Sequence, residues 1–313
     1  MNREHDIPPS MPDISVILCT HNPRQDYLAR VLEGLRRQSL PMSQWELIVI
    51  DSASEPPLAP RINLSWHGNG SVLREEELGH LRARVRGIRV AKGALLVFVD
   101  DDNVLDSDYL AEAMTIGREN PRIGVWGGSA IADYEHSPPA WFKTYEHVIS
   151  VREIKTDAWS NVPTMDEPWV IGAGMVVRRE LAVPYAEIVM TDTRRLMLGR
   201  RGSSIMGADD LDLILSVCDQ GFGRGVFRSL RLSHLIPSSR CEPDYLWNLA
   251  KCNAASMELI RLFRSQGTKC RHPSLLVRAL EWVRELRLPS HAKRYARSVR
   301  KGTQLARDLL FKN

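Results

Sequence analysis

Three short apolar runs mark the first hundred residues: residues 14–19 (ISVILC), 46–50 (ELIVI) and 94–99 (ALLVFV). Each is rich in β-branched residues and of strand length, so each reads as a buried β-strand. Between the first two, residues 27–38 place Leu28, Val31, Leu32 and Leu35 on one face of a helix. A weaker strand at Val72 and Leu73 leads to a helix over residues 79–91. Strands that are apolar throughout and alternate with helices predict a mostly parallel sheet covered on both faces. Further on, the pattern predicts strands at 124–131 and 169–177, a helix at 209–220 with Leu211, Ile214, Leu215 and Cys218 inward, and a short closing strand at 226–230. From Glu242 the chain reads as helical to its end, broken near 267–273 and at Pro289. No internal repeat or low-complexity segment is visible.

The 313 residues suffice for one large core, read as residues 1–240, with a basic helical extension over 241–313. Hydrophobic residues make up 43% and charged residues 26%, which argues against long disorder. The five cysteines are odd in number and form no C-x-x-C pair, so neither a disulfide framework nor a zinc knuckle is indicated. The N-terminus lacks the apolar core of a signal peptide, and no apolar run nears the ~20 residues that span a bilayer. A cytoplasmic protein, at most peripheral on the inner face of the membrane, is expected. Charge is unevenly spread. Residues 261–313 carry 14 Lys or Arg against three acids, net +11, whereas residues 1–260 carry 28 basic and 35 acidic residues, net −7.

The chemistry collects where the strands end. Ligands of open parallel sheets bind outside the carboxyl ends of the strands, and Thr20, Asp51 and Asp100-Asp101-Asp102 all fall there. Three adjacent carboxylates repel one another unless a cation or strong donors relieve them. Mg²⁺ or Mn²⁺, which take one or two carboxylates plus substrate phosphates, suit such a site. A solvated acidic turn capping the next helix accounts for the same residues equally well. In residues 207–213 (GADDLDL), Asp209 and Asp212 share a helix face while Asp210 points elsewhere. These carboxylates either cap the helix or supply a general base. His234 follows a strand-like run and is read either as a structural histidine or as a ligand completing an oxygen site.

Taken in order, ISVILCTHN, ELIVIDSAS, ELGHLRARVRGIRVAKG, ALLVFVDDDN, WVIGAGMVVRRE and GADDLDL resemble family 2 glycosyltransferases of the GT-A fold, with a Rossmann-like nucleotide-binding sheet. The resemblance runs from about Ile14 to His234. It implies that Thr20, Asn22, Asp51, Arg84, Asp100 and Asp101 serve the donor nucleotide. It implies that Asp102, Asp100 and His234 hold the metal ion, Mn²⁺ or Mg²⁺. Gly172, Ala173 and Gly174 would line the acceptor side, together with Trp169, whose aromatic face suits a sugar ring. Asp210 would be the catalytic base, beside Asp209, where the family usually has Glu. Val85 departs from the family's Asn.

The resemblance implies metal-dependent, inverting transfer of a single sugar from a nucleotide-sugar, a UDP-sugar first among them, to a glycan or lipid-linked acceptor in cell-surface polysaccharide biosynthesis. The chain has no Q-x-x-R-W after the aspartates, unlike processive synthases. A sugar nucleotidyltransferase is a rival, though the first loop, THNPRQ, lacks its glycines. A Rossmann dehydrogenase would need G-x-G-x-x-G after the first strand. A catalytically degenerate binding partner in a polysaccharide assembly complex is the non-enzymatic alternative. Residues 272–313 set Leu275, Leu276, Leu280, Val283 and Leu286, then Tyr295, Val299, Leu305, Leu309 and Leu310, among basic residues. That pattern suits an anionic membrane surface, or a helical hairpin packed on the body. A nucleic-acid partner is not expected.

Overall fold

Each early apolar run becomes a strand without exposed residues until its carboxyl end: β1 (Ile14–Thr20), β2 (Trp45–Ser52) and, after the half-buried β3 (Gly70–Glu75), β4 (Leu95–Asp100). The structure, a computed structural model, describes residues 11–202, 204–265, 285 and 288–311. Successive side chains of a strand face opposite ways, and here both faces are covered. Val16, Leu18, Leu47, Val49, Val97 and Val99 join Leu28, Val31 and Leu35 of α1 (Gln25–Arg36). Ile17, Ile48, Ile50, Leu96 and Phe98 join Leu81, Val85 and Ile88 of α2 (His80–Val90). Two apolar faces explain why these strands read as continuous runs rather than as alternation.

Further along come β5 (Asn103–Leu105), α3 (Tyr109–Glu119), β6 (Ile123–Tyr134), β7 (Ala158–Ser160), β8 (Val176–Arg178), α4 (Arg179–Thr191), α5 (Asp209–Asp219) and β9 (Gly223–Ile236). The sheet order is β3-β2-β1-β4-β8-β6-β9-β5, with β7 added along β9. The first four strands are parallel, with Thr20 opposite Asp51 and Cys19 opposite Asp100. Their carboxyl ends therefore lie on one edge. β8 runs antiparallel to both β4 and β6, while β6 and β9 are parallel to one another.

Two expectations from the pattern are corrected. The strand expected over 169–177 is confined to Val176–Arg178. The residues before it loop instead, because the Gly172 amide bonds the Asp210 side chain and the Gly174 carbonyl bonds the Tyr109 hydroxyl. The strand expected over 226–230 extends through His234 to Ile236, since β6 offers a partner along its length. Helix α4 was not anticipated, because Pro184 interrupts the spacing of Leu181, Ala182, Tyr185 and Val189.

The chain closes with α6 (Pro243–Arg264) and α7 (Ser290–Phe311). Ala306, Leu305 and Leu310 of α7 pack with Cys252, Leu259 and Ile260 of α6 and with Leu211 and Leu215 of α5. Tyr295 joins an aromatic cluster with Tyr145, His147 and Trp247. Of the apolar positions expected to face a membrane, Tyr295, Leu305 and Leu310 pack on the body, Val299 lines a cleft and Leu309 is exposed. The expected break at 267–273 and the apolar positions Leu275 to Leu286 lie outside the described residues. No helix among the described residues is long and apolar enough to cross a membrane.

Candidate active site

After Asp100 the chain turns through Asp101 and Asp102 into β5. That short strand pairs antiparallel with β9, with Asn103 opposite His234. The pairing, completed by a 2.8 Å bond from the Leu235 amide to the Asp102 carbonyl, sets His234 beside Asp102. His234 Nε2 lies 3.7 Å from Asp102 Oδ2, Arg240 Nη1 lies 2.8 Å from the same oxygen, and Asn103 donates to Oδ1 at 2.9 Å. Burial opposes the charge on Asp102, but His234 and Arg240 outweigh it and hold the carboxyl below the usual range.

Its neighbours have other partners. Asp101 takes the Thr20 hydroxyl hydrogen bond. Burial and the adjacent Asp102 push its pKa up to about 7. Asp100 lies 3.4 Å from His80 Nε2 and 3.8 Å from Arg84 Nη2. Burial works against its charge, and His80 and Arg84 prevail in keeping its pKa low. The three carboxylates thus divide their repulsion among separate partners.

His80 and Arg84 are four residues apart on α2 and so share one face. The Arg84 guanidinium sits 5.2 Å from the Phe98 ring centroid and is 5% exposed. Its Nη1 meets Asp209 Oδ2 at 2.9 Å, and His80 Nδ1 approaches the same oxygen at 3.3 Å. Asp209 opens α5, where the helix dipole also favours a carboxylate. Despite its burial, Arg84 and His80 hold it ionised. Asp210 differs. Its Oδ2 accepts from the Gly172 amide and its Oδ1 from the Leu211 amide, both at 2.8 Å. Burial and the Asp209 charge raise its pKa, with Arg84 opposing. A Cβ on residue 172 would stand 2.7 Å from Arg84 Nη2 and 3.2 Å from Asp210 Oδ2, so only glycine lets the backbone approach this pair.

These groups face one cleft of about 1090 Å³. Thr20, Arg84, Asp100, Asp101, Asp102, Trp169, Gly172, Ala173, Asp209, Asp210 and His234 all line it. Three expected residues do not. Asp51 is 1% exposed and its oxygens accept from the Ser54 and Leu58 amides and from Arg74, so it braces the loop after β2. Asn22 bonds the Glu55 amide and Ser54 beyond the cleft wall. Gly174 holds Tyr109 behind the lining. Asp209 lines the cleft but is committed to Arg84 and His80, whereas Asp210 is bonded only to the Gly172 and Leu211 amides.

Sequence reasoning missed His80 and Arg240. The four-residue spacing of His80 from Arg84 was a legible signal. Arg240 had none, since the 3₁₀ turn Ser238–Cys241 after β9 alone brings it to Asp102.

No cluster of three or more metal-ligating His, Cys, Asp or Glu groups occurs among the described residues. Asp100 is engaged by His80 and Arg84, apart from Asp102 and His234. The latter two fit a hard divalent ion that takes its remaining ligands from phosphate and water. His234 Nδ1 is buried without a partner, and its other nitrogen is turned toward Asp102.

Comparison with known proteins bears on this geometry. The family model described as glycosyl transferase family 2 matches residues 15–182. Glycosyltransferase AglE of Haloferax volcanii is 27% identical over 96 residues, covering 30% of this chain and 31% of that protein. An uncharacterized protein, y4gI of Sinorhizobium fredii, is 30% identical over 114 residues, 35% of this chain and 12% of its own length. The chain thus spans under a third of the length of these two relatives. Glucosyl-dolichyl phosphate glucuronosyltransferase of Haloferax volcanii is 20% identical over 239 residues, 74% of this chain and 72% of that one. Among solved structures, the mannosyltransferase PcManGT from Pyrobaculum calidifontis, in complex with GDP-Man and Mn²⁺, has a TM-score of 0.56 at 18% identity. It covers 97% of this chain and 80% of that one. TarS 1–349 of S. aureus with UDP-GlcNAc has a TM-score of 0.50 at 16% identity, covering 78% and 66%. These two likenesses are of fold, and they bear out the α/β, GT-A expectation.

Proposed function

Since the chain belongs to glycosyl transferase family 2, we propose that it transfers a single sugar from a nucleotide-sugar to a glycan or lipid-linked acceptor, with inversion and with the help of Mn²⁺ or Mg²⁺. The observation that carries this reading is Asp210. Its carboxylate is held by two backbone amides in the same cleft as the Asp102–His234 pair, with its pKa raised toward the range useful to a base.

Asp210 takes the proton of the acceptor hydroxyl as that oxygen attacks the anomeric carbon. The diphosphate departs from the opposite face, and single displacement inverts the configuration. Asp102 and His234 would hold the divalent ion, which when bound supplies positive charge against the leaving diphosphate. Thr20, through Asp101, shapes the nucleotide side. Arg84 and His80 keep the start of α5, and with it Asp210, in position.

A UDP-sugar is proposed as donor; the two solved neighbours carry UDP-GlcNAc and GDP-Man. A lipid-linked acceptor draws support from the dolichyl phosphate in the name of the relative matching 74% of the chain. Work at a cytoplasmic membrane face, in surface polysaccharide assembly, is proposed on that basis. Any attraction to anionic lipid would come chiefly from the basic residues of 272–313, since Tyr295, Leu305 and Leu310 of α7 are already packed.

Calorimetric titration with UDP, GDP and dTDP, each with and without Mn²⁺, tests the site. Metal-dependent binding of one nucleotide, abolished by Asp102→Ala, is expected; binding of none with metal present would refute the donor site. The anomeric configuration of the product, read by NMR, tests inversion.

A further inference from the structure

Arg240 Nη1 stands 2.8 Å from Asp102 Oδ2 and 3.3 Å from His234 Nε2. A guanidinium only donates hydrogen bonds. A carboxylate oxygen and an imidazole nitrogen thus converge on one nitrogen of a permanent cation. Two such donors converging on a positive centre is also what a divalent ion asks of its protein ligands. His234 is nine-tenths buried, its Nδ1 has no partner, and its Nε2 meets only Arg240 and, at 3.7 Å, Asp102.

We propose that Arg240 is a resident counter-cation at the metal position, displaced when the metal enters, and that it then serves the donor diphosphate. This rests on the reading of Asp102 and His234 as metal ligands. Arg240 sits in the turn Ser238–Cys241 between β9 and α6, lines the cleft, and is 24% exposed at its side chain. The guanidinium can thus turn out of the Asp102 contact without opening the core. Without an anion to receive it, the metal must break a largely buried ion pair to bind. A diphosphate in the cleft offers the fork-shaped guanidinium a bidentate partner. Metal and nucleotide binding become cooperative through one side chain, and the cooperativity is reciprocal. The device keeps the Asp102 charge countered when no donor is present.

The test measures Mn²⁺ affinity by electron paramagnetic resonance, with and without UDP, for the unmodified protein, Arg240→Ala and Arg240→Gln. Asp102→Asn serves as control. Couplings of this kind run from about 5- to 150-fold. Mn²⁺ alone is expected to bind at least about fivefold more tightly to both Arg240 variants than to the unmodified protein. UDP is expected to raise Mn²⁺ affinity at least about fivefold more in the unmodified protein than in either variant. Equal Mn²⁺ affinity across the three proteins, abolished in Asp102→Asn, overturns the Arg240 proposal and leaves the metal site standing. Mn²⁺ binding that survives Asp102→Asn, or is missing from all three proteins even with UDP, overturns both readings. Two different replacements, each checked for an unchanged circular dichroism spectrum, separate the effect from misfolding.

Discussion

Arg84 and Asp209, 125 residues apart in sequence, form a buried ion pair at 2.9 Å in which both side chains are about 5% exposed. The pair ties α2 to the first residue of α5. Because Asp210 follows immediately, it also sets where the candidate base stands. Breaking a buried pair by removing one partner costs ~3–5 kcal/mol, since it strands the other charge. Arg84→Ala is expected to lower the melting temperature by roughly 5–15 °C, as differential scanning calorimetry would read. A melting temperature unchanged within a degree would show that Asp209 finds sufficient compensation in His80.

Asp210 invites the opposite result. Its raised pKa means that ionisation is disfavoured by burial and by Asp209, so the folded state gains nothing from its charge. Asp210→Asn keeps an acceptor for the Gly172 amide and removes a repulsion. Turnover is expected to fall by ~10²–10⁴-fold while the melting temperature holds or rises. Steady-state kinetics beside thermal melts would check both; near-normal turnover would remove Asp210 from the mechanism.

The pH dependence follows from the same shift. A base acts in its ionised form, and a raised pKa moves the loss of that form to higher pH. The acid limb of kcat should therefore fall as pH drops through a pKa above that of an ordinary aspartate. A limb at or below the ordinary aspartate value would contradict the environment described for Asp210.

Gly172→Ala tests the close approach of the loop to the ion pair. The added methyl meets a guanidinium that Asp209 pins and a carboxylate that the backbone holds. Displacing a reacting group by about 1 Å can cost ~10²-fold, and a fall in kcat of at least tenfold is expected, with nucleotide affinity changed less. Calorimetry with the nucleotide separates the two effects.

At the far end of the chain, a Cβ on Gly302 would lie 2.0 Å from the Lys251 carbonyl oxygen, because α7 crosses α6 there with its backbone in close contact. Backbone cannot yield as a side chain can. Gly302→Val should push α7 off α6 at a cost of ~1–3 kcal/mol, exposing the facing surfaces of α6 and α7 to limited proteolysis. Unchanged protease resistance would mean the helices do not meet as described.

The sheet was legible because its strands are buried on both faces, and a run such as ISVILC, short and rich in β-branched residues, fits such a place. The strand-end position of Asp100–Asp102 followed from the same runs. Several features gave no such signal. The strand expected at 169–177 shrank to three residues because the Gly172 amide donates to Asp210 and the Gly174 carbonyl accepts from Tyr109 rather than joining a ladder, and periodicity carries no trace of such partners. Asp51 was placed at the ligand edge because it ends β2 and at the nucleotide by resemblance, and in the structure the local amides of Ser54 and Leu58 bond it.

By itself, then, the sequence determined the parallel strands of the first hundred residues and which edge of the sheet carries the acids, because hydrophobic period and burial are local properties of the chain. Only the tertiary structure decided how those acids are shared out. Asp102 met His234 through the pairing of β5 with β9, and Arg240 through the turn that follows. Asp209 was taken by Arg84, which left Asp210 to the cleft. A charge's role depends on which opposite charge reaches it first within a few ångströms. That is a matter of distances between residues far apart in the chain, which no local pattern encodes.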